Sequence, residues 1–212
     1  MRPAIYFIRL GIAILAGAAI TATMLDALSR GPINPFNFFG YFTVQSNVIF
    51  VLVFAASGIL GLLGRQGPAI QMVRAAATTY IVIVGLIYAT LLAPLGEAGG
   101  VPVAWANTVL HIVTPIYAIL DWILVGDRAL MPLNRVALIL IYPVVWAGVV
   151  LYRGATDGWV PYPFLDPAQG TWGLSITVTG IAVVFAVIGL IVLFITYYRG
   201  VLRVSEDTNV PR

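Results

Sequence analysis

Cysteine and lysine are absent, and histidine occurs once, as His111, in a chain of 212 residues. Without cysteine there is no disulfide framework, no thiolate nucleophile and no Cys-based metal site. A single imidazole also excludes a multi-histidine zinc centre. Charge is scarce too: Asp, Glu, Lys and Arg make up 9% of the residues, against about a quarter in a soluble globular domain. What remains implies no metal and no cofactor.

Apolar residues fill the gap, at 61% of the chain and a mean hydropathy of +1.01. A soluble fold would leave much of that surface in water, at roughly 25 cal/mol per Å². A bilayer removes the cost. A hydrocarbon core about 30 Å thick is crossed by about 20 apolar residues in a helix. Six segments qualify, over about 4–25, 38–63, 74–95, 102–125, 134–152 and 172–197. The expected fold class is therefore all-α, an integral membrane bundle of six transmembrane helices. It would form one domain over 1–204, followed by a short polar cytoplasmic tail over 205–212. The first segment has some features of a signal peptide, but its apolar stretch is longer than a usual h-region and Arg9 interrupts its start. It reads as a retained helix.

The net charge of +3 does not point to nucleic acid, because the basic residues sit singly at the ends of apolar runs. With the N-terminus inside, Arg2, Arg9, Arg65, Arg74, Arg128, Arg135, Arg199, Arg203 and Arg212 fall on the inner side. Only Arg30 and Arg153 fall outside. By the positive-inside rule both termini are cytoplasmic. All eleven basic residues are arginine, a bias compatible with a GC-rich bacterial genome, and the expected location is a bacterial plasma membrane. Two longer outer loops, Asp26 to about Asn37 and Arg153 to about Thr171, carry Trp159 and Tyr162 as candidate interfacial anchors. No three-helix half repeats in the other, which weighs against a transporter built on inverted repeats.

Polar groups inside a bilayer are costly and often functional. Here they gather on two predicted helices: Thr43, Gln45, Ser46 and Asn47 on the second, and Asn107, Thr108, His111 and Thr114 on the fourth. If those helices start at Pro35 and Pro102, Thr43 lies about 12 Å in and His111 about 13.5 Å in. Two polar stripes at one depth suit a hydroxyl nucleophile beside a base. They equally suit side chains that hydrogen-bond across helices as packing glue. Ser46, one turn from Thr43, is a rival nucleophile.

Three stretches carry a resemblance: Tyr41-Phe42-Thr43 entering an apolar helix, Asn107 through Asp121 with His111 and Pro115, and Gly158-Trp159-Val160-Pro161-Tyr162-Pro163-Phe164-Leu165-Asp166. In these the chain resembles the androgen-induced protein family, which includes the androgen-dependent regulator of tissue factor pathway inhibitor. The resemblance implies a six-pass threonine hydrolase of fatty acid esters of hydroxy fatty acids, with Thr43 at the nucleophile position and His111 at the base position.

On that expectation a neutral His111 takes the Thr43 proton as the hydroxyl attacks an ester carbonyl, and water then hydrolyses the acyl-enzyme. Gln45, Asn47 or Asn107 would be the oxyanion donors. Asp121 lies about 15 Å from His111 along the same helix and about 80° off its face. It reads as structural, pairing with Arg74 or Arg128. Asp166 or Asp157 would better orient the imidazole, and Arg30 or Arg153 could hold a carboxylate. The expected partners are a lipid ester and the bilayer. The competing readings are a non-catalytic lipid binder or scaffold and a small-solute transporter.

Overall fold

A computed structural model of the chain describes residues 2–198 and 200–202. Arg199, Arg203, Arg212 and the expected tail over 205–212 lie outside the described residues. Among the described residues, six helices are long and apolar enough to cross a membrane: α1 (Arg2–Ser29), α2 (Phe42–Leu62), α3 (Pro68–Ile87), α4 (Ala104–Leu124), α5 (Val136–Thr156) and α6 (Gly170–Ile195). The protein is thus an all-α, multi-pass membrane bundle. Its outward surface is a row of exposed Ile, Leu, Val and Phe, suited to hydrocarbon rather than water.

Small residues bring α1 and α2 together. Ala13, Ala16 and Ala19 of α1 are buried. Nearer the start of α1, a Cβ on Gly58 of α2 would stand 2.8 Å from Leu10 Cγ and 2.9 Å from the Tyr6 carbonyl. In a bilayer such close backbone approach is a main source of helix affinity. Gly58→Val should therefore cost about 1–3 kcal/mol, the usual penalty for overpacking. A thermal melt in detergent measures it, and an unchanged midpoint would count against this packing.

Two helices widen by one residue per turn. In α4 the π turn spans Val109–Val113, and α3 continues into another over Tyr88–Leu92. Each runs into a proline two residues on, Pro115 and Pro94. Proline has no N–H to give the carbonyl four residues back, and its ring crowds that carbonyl. A wider turn relieves the crowding. Gly85 lets α3 pass close to this region, since a Cβ there would lie 2.7 Å from Pro115 Cβ.

At the end of the bundle where α1 and α3 start and α4 finishes, four charges are buried together. Arg9 Nε donates to Asp121 Oδ1 at 2.8 Å, and Arg9 Nη1 meets Asp127 at 2.5 Å. Arg74 donates to Asp127 through both terminal nitrogens, and Ser57 Oγ accepts from both arginines at 3.2 Å. Asp121 makes the expected ion pair with Arg74, at 3.9 Å, but its closer partner is Arg9, which the sequence reading did not name. Arg9 itself is fully buried and bridges helices, so it is more than a marker of topology. Arg128 turns elsewhere, to the carbonyls of Val125, Ile195 and Tyr198.

Candidate functional site

Helix α2 starts later than the Asn34–Pro35 pair implied. Asn34 does cap a helix, accepting from Phe36 N at 2.9 Å, but that helix is only Pro35–Phe38. The chain then turns at Gly40, where a Cβ would meet the Trp159 ring at 2.4 Å and the Phe36 carbonyl at 2.7 Å. Thr43 therefore lies in the first turn of α2, not 12 Å along it. His111 is seven residues past the start of α4, about 10 Å in.

Contacts between the helices give their register directly. Asn47 Nδ2 donates to the Leu110 carbonyl at 3.2 Å, and Thr114 Oγ1 donates to Asn47 Oδ1 at 3.1 Å. The π turn explains the first of these bonds. Thr114 N–H reaches back to Val109 rather than Leu110, which leaves the Leu110 carbonyl for a side chain to satisfy. Asn47 is thus level with Leu110–Thr114, and Thr43, one turn nearer the end, is within about a turn of His111.

The two residues bond separately. Thr43 is buried, and its Oγ1 lies 3.3 Å from the Tyr162 hydroxyl. Thr43 N–H donates to the same phenol oxygen at 3.1 Å. His111 Nδ1 bonds the Asn107 carbonyl at 3.1 Å, and its ring stacks on Tyr88 with centroids 4.3 Å apart. Because a carbonyl only accepts, Nδ1 carries the proton and Nε2 is left as the basic nitrogen. Asn107 O thus does the orienting work expected of a carboxylate. Asp166 instead caps Ala168 N at 2.8 Å, and Asp157 accepts from Arg153 and from Trp159 N.

The expected oxyanion donors are already engaged. Gln45 Nε2 donates to the Phe39 carbonyl at 2.6 Å, and its Oε1 accepts from Tyr142. Asn47 donates to Thr43 O as well as to Leu110. Asn107 Nδ2 donates to Tyr88 at 2.7 Å, and its Oδ1 accepts from Val101 N. Ser46 Oγ is buried with no partner. Arg153 is tied to Asn37 Oδ1 and lies over the Trp159 ring at 4.2 Å. Arg30 pairs with Asp26 on its own helix turn.

The hydroxyl beside Thr43 belongs to a residue that the sequence marks as an anchor. Tyr162 belongs to the loop between α5 and α6, and its ring stacks on Phe164 at 5.1 Å. Burial pushes its phenol up to about 12, so the O–H keeps its proton at neutral pH. Thr43 and Tyr162 also line an apolar cavity of about 400 Å³ between α3, α5 and α6, within the usual range for small-molecule sites. His111 does not line it. Tyr88, which stacks on His111, is flanked along α3 by the lining residues Val84, Ile87 and Leu92.

Fold and site together define a multi-pass membrane protein with a buried hydroxyl pair lining an apolar cavity. No protein-family model, curated protein or solved structure matches the chain.

Proposed function

We propose that the protein is a lipid ester hydrolase of a bacterial plasma membrane, with Thr43 as nucleophile, His111 as general base and both termini cytoplasmic. The observation that carries this reading is the position of Thr43. Thr43 lines an apolar cavity of about 400 Å³, where an acyl chain would bring an ester carbonyl toward its hydroxyl. The resemblance to threonine hydrolases adds the substrate class, fatty acid esters of hydroxy fatty acids.

In the proposed reaction Thr43 Oγ attacks the ester carbonyl carbon, and its proton passes to His111 Nε2. The transfer is direct once substrate draws the site together, or runs through one water. The carbonyl oxygen becomes an oxyanion and accepts from the Tyr162 hydroxyl. Collapse expels the alkoxide, which takes the proton from His111 and leaves as an alcohol. Water, deprotonated by His111, then releases the carboxylic acid and restores Thr43.

The test is hydrolysis of a fatty acid ester of a hydroxy fatty acid by the purified, detergent-solubilised protein. Release of both acids supports the reading, and absence of turnover in folded protein counts against it. Tyr162→Phe should lower kcat by about 10²–10³-fold with little change in KM, as loss of one oxyanion donor does. An equal loss through KM alone would make Tyr162 a binding group.

A second reading, non-catalytic lipid binding, is favoured by one observation. Thr43 and His111 hydrogen-bond to Tyr162 and Asn107 rather than to each other. Tight lipid retention without turnover would select it.

A further inference from the structure

The cavity is closed toward the aqueous end and open toward the side. Tyr162 and Leu165 are buried at that end. Tyr41 meets Tyr162 edge-on at 5.7 Å, and Trp146 is pinned there by donating Nε1–H to the Gly40 carbonyl at 2.9 Å. Between α5 and α6 the situation is reversed. Several lining residues are themselves on the exposed surface: Val144 is 65% exposed, and Gly148 and Ala182 are exposed beside it. A Cβ built on Gly148 would meet nothing within 4 Å. In a bilayer this opening faces hydrocarbon.

Its depth matches one leaflet. The α5 lining runs from Leu140 to Leu151, about 16 Å along the axis, and half of a 30 Å hydrocarbon core is about 15 Å. Thr43 lines the slot from the first turn of its helix, level with the stretch of α5 between Tyr142 and Trp146, which bond Gln45 and Gly40.

We infer that the site is loaded laterally: an acyl chain of a bilayer lipid, from the leaflet at the Thr43 end, enters between α5 and α6 and brings its ester to Thr43. The entry route rests on the cavity alone, whereas the role of the ester rests on the proposed hydrolase reading. Aqueous entry from the end is disfavoured by the aromatic roof, and a soluble ester would gain little from a slot one leaflet deep.

The experiment uses the full chain in liposomes containing a phosphatidylcholine with a photoactivatable diazirine in one acyl chain. After irradiation, adducts are mapped by mass spectrometry. Adducts are expected on Leu140, Ala147 and Ile181, and they should be lost in Gly148→Trp and Ala182→Trp. Labelling of Val145 and Val187, which face outward on the same helices, should persist in both variants and report a folded, inserted protein. Wild-type adducts confined to Val145 and Val187, or cavity adducts that survive both tryptophans, overturn lateral loading. The same liposomes, doped with a fatty acid ester of a hydroxy fatty acid, are assayed for released fatty acid. Cavity labelling without release removes the hydrolase reading and leaves the entry route standing, and release without cavity labelling does the reverse.

Discussion

Thr43→Ala and His111→Ala should each reduce ester hydrolysis by about 10²–10⁴-fold, the range that a positioned proton-transfer group contributes. Ser46→Ala should leave the rate within a few-fold. The Ser46 hydroxyl is buried and unpartnered, so its removal takes away an unsatisfied polar group and disturbs no bond. Combining Thr43→Ala with His111→Ala should lose little more than either alone, because residues that act as one unit are not additive. The measurement is initial rate on a fatty acid ester of a hydroxy fatty acid, with a thermal melt to confirm folding. Losses that multiply in the double variant would mean that the two side chains act independently. Loss in Ser46→Ala alone would move the nucleophile one turn along α2.

Asp127→Ala should cost about 3–5 kcal/mol of stability, because it strands the buried Arg74 guanidinium, whose carboxylate hydrogen bonds both go to Asp127, and leaves Arg9 with Asp121 alone. In Arg74→Met/Asp127→Leu the cost should shrink, since removing a pair together leaves fewer unmatched charges. The same carboxylate sets an acid limit. Burial pushes the Asp127 carboxyl up, but Arg74 and Arg9 outweigh it and hold it well below the usual carboxylate range. A folded-state value depressed in this way stabilises the fold at neutral pH. The contribution starts to fall near the unfolded value of about 3.9 and is gone only when pH passes below the folded value. The melting midpoint should therefore hold from pH 7 to about 4 and drop below that, and Asp127→Asn should flatten the drop. A steep decline already between pH 7 and 5 would assign the acid sensitivity elsewhere.

The six spans were legible because length and hydropathy decide them locally. The boundaries moved where a tertiary contact intervenes, as at Gly40, where the Trp159 ring and the Phe36 carbonyl break what reads as one continuous helix. Partners were hidden by distance along the chain. Arg9 and Asp121 are 112 residues apart, and Thr43 and Tyr162 are 119 apart, so no periodicity connects them. Asp121 was recognisable as structural from its position on α4, yet its nearest partner was not. The π turn under His111 leaves one trace in the sequence, a proline two residues beyond it, and the same trace marks Tyr88–Leu92. A hydrophobic period of 3.6 does not register one extra residue. The polar stripe on α2 is legible as a group, but Asn47 serves the register of the helices while Thr43 lines the cavity.

The four buried charges at the opposite end also bear on membrane voltage. Each elementary charge moved through the field is worth about 2.3 kcal/mol per 100 mV. Two arginines and two aspartates sum to zero, so an energised membrane exerts no net pull on them. The knot can hold α1, α3 and α4 together whether the cell is polarised or not. An asparagine at Asp127 would leave one uncompensated positive charge inside the fold and make that end respond to the potential.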